Sequence, residues 1–123
     1  MELPKVLYVD DEILNLRLFE INLSKHYTIF KALNGNEGLE VLKNNQEIKL
    51  VLSDLRMPKM MGLEFIAKAK KITPNALFFL LSGFDITKEI QEALDSKLIA
   101  GYFKKPFNLN EIHKTLTHFT KNA

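Results

Sequence analysis

Lys5-Val6-Leu7-Tyr8-Val9-Asp10-Asp11-Glu12 is the stretch of this sequence that decides the fold. Its run of four apolar residues, mostly β-branched or aromatic, predicts a short strand buried on both faces. Three carboxylates follow immediately, and such closely spaced like charges favour a bound cation. Aspartate oxygens suit a hard divalent ion, Mg²⁺ above all. The alternative is that Asp11 or Glu12 only caps the helix that follows.

Composition narrows the class of protein. A length of 123 residues predicts one domain over 1–123, and a hydrophobic fraction of 46% is enough for a core. The sequence has no cysteine, which excludes disulfides and thiolate metal sites. No apolar run is long enough for a membrane span, and the first residues do not resemble a signal peptide. We therefore expect a cytoplasmic protein without membrane insertion.

The charge pattern argues against direct binding of nucleic acid. The net charge is only +2, and the lysines are scattered apart from short clusters at 68–71 and 104–105. The three histidines, His26, His113 and His118, lack metal-ligand spacing, which favours surface or core roles.

Strand-like and helix-like patterns alternate along the chain. Strands are predicted near 6–9, 27–30, 50–53, 77–81 and 101–103, and the fourth, the most hydrophobic, is expected to be a central strand of a sheet. Helices are predicted over about 12–24, 34–42, 63–71, 86–95 and 109–119. Asn34, Asp85 and Asn108 are expected helix caps, and Pro74 ends the third helix.

The first helix has an unusually broad apolar pattern. Its predicted buried stripe comprises Ile13, Leu16, Phe19 (or Glu20) and Leu23, widened by Leu14, Leu18 and Ile21.

This alternation predicts an α/β fold with a five-stranded parallel sheet and helices on both faces. Ligands bind such sheets at the carboxyl ends of the strands. Polar residues follow those ends at Asp10, Asp11, Asp54, Ser82 and Lys105. Each residue alone suits a turn or a solvated surface, but together at one edge they predict one site.

Four motifs at these strand ends resemble the receiver domains of two-component response regulators, over essentially the whole chain. They are 9–12 (VDDE), 53–58 (SDLRMP) with Gly62, 81–83 (LSG) and 102–107 (YFKKPF). The resemblance implies the flavodoxin-like strand order 2-1-3-4-5. It also implies a phosphorelay protein that catalyses its own phosphorylation and dephosphorylation but is not otherwise an enzyme.

The resemblance assigns a role to each site residue. Asp54 is the expected phosphoacceptor, and Asp10, Asp11, Asp54 and the backbone carbonyl of Arg56 are the expected Mg²⁺ ligands, Asp11 directly. Ser82 and Lys105 are expected to contact the phosphoryl group. A cis peptide is expected at Lys105–Pro106.

The resemblance also implies partners and a switch. The expected phosphodonor is a histidine kinase or a histidine phosphotransfer protein, and the downstream protein is unknown. Ser82 and Tyr102 are the expected switch pair. The expected output face comprises 86–95, Tyr102 and 109–119, with specificity tuned by Lys88, Gln91, Glu92 and Lys104.

Three other functions are alternatives to a receiver domain. A flavodoxin-type carrier needs a Ser/Thr/Gly-rich phosphate loop where this chain has Asp10-Asp11-Glu12. A Mg²⁺-dependent phosphohydrolase would need a cap or substrate pocket for which the chain has little room. A docking module that is never phosphorylated stays open. Arg56 and Phe84 flank the expected path of attacking water, where they either screen the phosphoryl group or only cover the site edge.

Overall fold

The computed structural model describes residues 2–83, 86–105 and 108–121. Five strands alternate with five helices in the described part of the chain. The strands are β1 (Lys5–Val9), β2 (Thr28–Ala32), β3 (Leu50–Asp54), β4 (Leu77–Ser82) and β5 (Gly101–Lys104). The helices are α1 (Ile13–Leu23), α2 (Gly35–Asn44), α3 (Gly62–Ile72), α4 (Lys88–Asp95) and α5 (Leu109–Lys121).

The strands form one parallel sheet in the order β2-β1-β3-β4-β5, which confirms the predicted fold and strand order. β4 lies between β3 and β5, which confirms the prediction that it is an interior strand, and β3 is the middle strand of the five. All five residues of β3 are buried. β2 lies at an edge, and two of its five residues are exposed, so it is not buried on both faces.

Two hydrophobic cores lie on opposite faces of the sheet because side chains alternate along each strand. The core beneath α2, α3 and α4 includes Leu7, Val51, Phe78 and Leu80. The core beneath α1 and α5 includes Val6, Tyr8, Leu52, Phe79 and Leu81. Both cores hold the strand ends rigidly at the edge where the polar residues emerge.

The helix starts follow the predicted capping patterns in two of three cases. The Asn34 side chain accepts a hydrogen bond from Glu37 N at 2.9 Å, and Asn108 accepts one from Glu111 N at 3.0 Å. The prediction for α4 was wrong, because α4 begins at Lys88 and its cap is Thr87, which accepts from Ile90 N. The predicted cap, Asp85, lies outside the described residues.

The predicted apolar stripe of α1 was too broad. Leu16, Phe19 and Leu23 are buried, as the helical spacing indicates. The other apolar side chains face outward, with exposed fractions of 56% for Ile13, 66% for Leu14, 42% for Leu18 and 73% for Ile21. An edge helix has room for one buried stripe, so the remaining side chains form an exposed apolar face.

No helix in the described part of the chain is long and apolar enough to cross a membrane.

Candidate functional site

The carboxyl ends of the parallel strands place most of the predicted site residues around one cavity, with Asp10 and Tyr102 outside its lining. The cavity has a volume of about 300 Å³. Its lining comprises Asp11, Glu12, Asp54, Leu55, Arg56, Ser82, Gly83 and Lys105. Asp54 ends β3, Ser82 ends β4 and Lys105 follows β5, so three different strands supply the functional groups.

Three carboxylates meet at this edge of the sheet. One oxygen from each of Asp10, Asp11 and Asp54 can be chosen so that all three lie within 4.8 Å of one another. Asp10 and Asp54 are buried whereas Asp11 is exposed. This is the one group of three or more acidic or histidine side chains with metal-site geometry among the residues described. Hard oxygen donors at this spacing fit a divalent cation such as Mg²⁺.

Asp54 pairs with the one lysine of the cavity. Lys105 Nζ lies 3.1 Å from Asp54 Oδ1, and the Asp54 side chain is only 9% exposed. Burial raises the pKa of the Asp54 carboxyl above its usual value, and the negative charges of Asp10 and Asp11 add to that rise. The Lys105 ammonium opposes these effects without cancelling them.

Asp10 is held by donors from its own neighbourhood. The Tyr8 hydroxyl donates to Asp10 Oδ2 at 2.6 Å, and Asn15 Nδ2 donates to the same oxygen at 3.1 Å. The backbone N–H of Glu12 donates to Asp10 Oδ1 at 3.0 Å. Burial raises the pKa of Tyr8 far above its usual range, so the hydroxyl keeps its proton and remains a donor.

The contacts of Tyr8 and Asn15 with Asp10 were not predicted from the sequence. A signal for Tyr8 was present, because residues i and i+2 of an extended segment project to the same face. A tyrosine two positions before a buried acid can therefore reach that acid. Asn15 lies one turn into α1, and no comparable spacing rule marks it.

The loop that follows Asp54 is fixed by backbone contacts. Leu55 N donates to Leu81 O at 2.8 Å, and Gly62 N donates to Leu55 O at 2.8 Å. A Cβ at Gly62 would overlap the backbone carbonyl oxygen of Asp54. Position 62 therefore needs glycine because α3 begins in contact with the backbone at the end of β3.

Tyr102 lies outside the cavity lining, on the strand next to Ser82. It is half-buried and packs against the core beneath α2, α3 and α4. Ser82 is buried, and its backbone oxygen accepts from Lys105 N at 2.8 Å. The predicted screen at Phe84 and the predicted cis peptide at Lys105–Pro106 both involve positions outside the described residues.

The geometry agrees with comparison to known families. A sequence model of the response regulator receiver domain matches residues 6–117. The chain belongs to this family. It is a receiver domain of two-component phosphorelay systems, whose members are phosphoacceptor signalling domains.

Individual relatives differ in length. Sporulation initiation phosphotransferase F of Bacillus subtilis is 28% identical over 116 residues, which cover 94% of this chain and 92% of the relative. The sensor kinase/phosphatase LuxN of Vibrio campbellii is 32% identical over 114 residues. There the match covers 92% of this chain but only 13% of the relative.

Solved structures support the receiver fold. The chemotaxis protein CheY4 of Vibrio cholerae superposes with a TM-score of 0.85 at 26% identity. That match covers 94% of this receiver domain and 98% of CheY4.

Proposed function

We propose that this receiver domain accepts a phosphoryl group from a phosphohistidine onto Asp54, using Mg²⁺ held by Asp10, Asp11, Asp54 and the backbone carbonyl of Arg56. The observation that carries the proposal is the buried Asp54 carboxylate, which lines one cavity with Asp11, Lys105 and Ser82. Asp54 also belongs to the acidic triad with Asp10 and Asp11. The proposed domain spans 1–123.

Positive charge is the main requirement of this reaction, because both the carboxylate and the phosphoryl donor are negative. Mg²⁺ bound by the acidic triad would supply charge that offsets this repulsion. Lys105 adds an ammonium group on the Asp54 side of the cavity. Both features favour approach of the donor to Asp54 Oδ.

The transfer step needs only the phosphohistidine donor, Asp54 and a proton from solvent. An Asp54 oxygen attacks phosphorus as the phosphorus–nitrogen bond to the donor histidine breaks, and the imidazole leaves with a proton from solvent. Ser82 then offers its hydroxyl as a donor to a phosphoryl oxygen. Attack of water on the acyl phosphate returns Asp54 and releases inorganic phosphate, which is the proposed dephosphorylation.

The experiment is phosphorylation of the purified chain with acetyl phosphate and Mg²⁺. We expect one acid-labile phosphoryl group per chain, detected as a mass increase and absent from Asp54→Asn. The matched control is Asp95→Asn, since Asp95 is an exposed acid on α4. Labelling of Asp54→Asn at the wild-type rate would contradict the assignment of Asp54 as the phosphoacceptor, and no labelling of the wild type would favour an unphosphorylated docking module.

Phosphorylation is proposed to change the face formed by α4, β5 and α5. Ser82 and Tyr102 lie on neighbouring strands, and Ser82 is register-paired with Lys104, two residues beyond Tyr102. Movement of the Ser82 hydroxyl toward a phosphoryl group would leave space that the half-buried Tyr102 ring can enter. A downstream protein would then bind this face, with Lys88, Gln91, Glu92 and Lys104, all exposed, setting specificity.

A further inference from the structure

Asp10 has an unusual set of hydrogen bonds for a proposed metal ligand. Its carboxylate is completely buried. Two side-chain donors, Tyr8 and Asn15, converge on Oδ2, whereas among the described residues Oδ1 accepts only the backbone N–H of Glu12. The two oxygens of this one carboxylate are therefore not equivalent.

The hydrogen bonds to Asp10 limit the number of lone pairs that its carboxylate can offer to a cation. Each oxygen of an ionised carboxylate has about two acceptor sites. The Tyr8 hydroxyl and the Asn15 amide use both sites on Oδ2. The Glu12 N–H uses one site on Oδ1, which leaves one site on one oxygen. Asp10 can thus contact a cation at a single point, directly or through water.

The two donors are themselves held in place. Tyr8 is completely buried in β1, and its ring packs against Phe19 with a centroid distance of 4.8 Å. Asn15 is half-buried in the first turn of α1, next to the cavity edge at Glu12. A donor pair fixed by a strand and a helix prevents the Asp10 carboxylate from turning both oxygens toward a cation.

Divalent cations differ in how they use carboxylates. Mg²⁺ prefers six ligands in a compact octahedron and takes carboxylates through one oxygen. Ca²⁺ is larger, accepts about six to eight ligands and commonly binds a carboxylate through both oxygens. Restriction of Asp10 to one oxygen therefore favours the smaller ion.

We infer that Tyr8 and Asn15 determine the metal specificity of this site by occupying Asp10 Oδ2, so that the acidic triad selects Mg²⁺ over Ca²⁺. The inference rests on the proposed metal site. Tyr8 and Asn15 are positioning residues here, because they act through Asp10 and do not contact the cation themselves.

The test compares the affinities for Mg²⁺ and Ca²⁺ by isothermal titration calorimetry, without any phosphodonor. The variants are Tyr8→Phe, which keeps the ring in the core, Asn15→Leu, which keeps the volume, and the double variant. We expect the preference for Mg²⁺ over Ca²⁺ to fall by about threefold in each single variant and about tenfold in the double variant. The matched control is Tyr27→Phe, since the Tyr27 hydroxyl contacts His113 and not the acids.

The outcomes distinguish failure of the metal-specificity inference from failure of the proposed metal site. An unchanged affinity ratio in variants that still fold, judged by circular dichroism, overturns the inference while leaving the metal site intact. Absence of Mg²⁺ binding by the wild type overturns the proposed metal site instead. Because Tyr8 and Asn15 act on the same oxygen, either single variant gives the answer if the other fails to fold.

Discussion

At the scale of single residues, Gly62 shows how a residue without a functional group shapes the site. It begins α3 directly against the backbone carbonyl of Asp54, where no Cβ fits. From the sequence, Gly62 was predicted as part of a loop and of a receiver-domain motif, but not as a close contact of Asp54. The absence of a side chain at Gly62 allows α3 to begin in direct contact with the backbone of β3 at Asp54.

His113 gives this chain a predicted pH dependence of stability. Its Nδ1 lies 3.1 Å from the Tyr27 hydroxyl, and its ring stacks on His26 with a centroid distance of 4.2 Å. Burial lowers the pKa of His113, and the nearby His26 lowers it further. The unfolded chain therefore binds this proton more readily than the folded chain does.

The sign of the effect follows from that difference. Stability contributed by neutral His113 is complete above its unfolded pKa of about 6.5 and is lost as pH falls through the lower folded pKa. We expect His113→Gln to be less stable than the wild type at pH 7.5, by roughly 1 kcal/mol, because the Tyr27 contact is lost. This gap should narrow toward pH 5.

Urea unfolding from pH 5 to 7.5 measures the gap directly. His118→Gln is the control, because His118 lies on the same helix but is exposed. If the free energies of unfolding of the wild type and His113→Gln change with pH in parallel, the pKa of His113 does not differ between the folded and unfolded states.

Most functional residues of the site could be predicted from sequence, because each follows a strand whose apolar run is visible. Asp54 and Ser82 end strands, and Lys105 follows one, as expected. The hydrogen bonds of Tyr8 and Asn15 could not be predicted in the same way. The Asn15 contact depends on the angle at which α1 leaves β1, which no local pattern of residues encodes, whereas the i, i+2 spacing of Tyr8 and Asp10 was a signal that the prediction did not use.

At the scale of secondary structure elements, the end of α4 carries a correctable strain. Lys97 has a positive φ of 63°, and Leu98 N donates to Ala93 O at 3.0 Å while Lys97 N donates to Leu94 O at 3.1 Å. These are the two bonds of a Schellman motif, whose left-handed position favours glycine. We expect Lys97→Gly to raise the free energy of unfolding by about 1 kcal/mol.

A lysine-to-glycine substitution in the middle of a helix should have the opposite effect on the free energy of unfolding. Lys68→Gly in α3 is expected to lower the free energy of unfolding by about 1 kcal/mol, since glycine is a poor helix former. Thermal melts of both variants provide the comparison. Destabilisation by Lys97→Gly would show that the Lys97 side chain contributes more than its backbone conformation costs.

The exposed apolar face of α1 predicts where a protein phosphodonor docks. This face comprises Ile13, Leu14, Leu18 and Ile21, and its first residue follows Glu12 at the cavity edge. Apolar surface beside the acceptor suits a helical partner that carries a phosphohistidine. We expect Leu14→Asn to slow transfer from a histidine kinase at least about tenfold, with stability changed by less than about 0.5 kcal/mol.

Two comparisons make that prediction specific. The rate with acetyl phosphate should stay unchanged, because a small donor needs no docking surface. Leu3→Asn is the control. Leu3 is 42% exposed but precedes β1, at the amino ends of the strands and away from the cavity. An equal loss of rate with both donors would mean that Leu14→Asn damages the site itself.

Element boundaries were predictable where a capping residue or a proline marked them, as at Asn34, Asn108 and Pro74. Boundaries were less predictable where tertiary contacts determine the residue at which an element begins or ends. The second strand was predicted from Tyr27, but Tyr27 is buried beside α5 and the strand begins at Thr28. The exposure of α1 was missed because periodicity reports apolar faces and not which of them a neighbour covers.

At the scale of the whole molecule, the proposed switch links the cavity to the face formed by α4, β5 and α5. Tyr102 packs against one core while its neighbour Phe103 is buried in the other. An inward and an outward Tyr102 ring can differ by only a few kcal/mol, which permits a shift in population. We expect the fluorine resonance of fluorotyrosine at position 102 to move when beryllofluoride and Mg²⁺ are added.

Fluorotyrosine at Tyr27 is an internal control, because Tyr27 lies between α1 and α5 and away from the cavity. Its resonance should change little, and Ser82→Ala should reduce the response at Tyr102. An unmoved Tyr102 resonance in protein saturated with beryllofluoride would place the switch elsewhere in the domain.

The order in which strands supply the cavity has a consequence for synthesis on the ribosome. Asp10 and Asp11 emerge first and Asp54 follows, whereas Lys105 is added only after the strand that completes the sheet. Translation delivers about 5–20 residues per second, so for some seconds the nascent chain holds its acids without their ammonium partner. A chain stalled before residue 101 therefore lacks Lys105, and under the proposed function we expect it to be phosphorylated only after the last strand is in place.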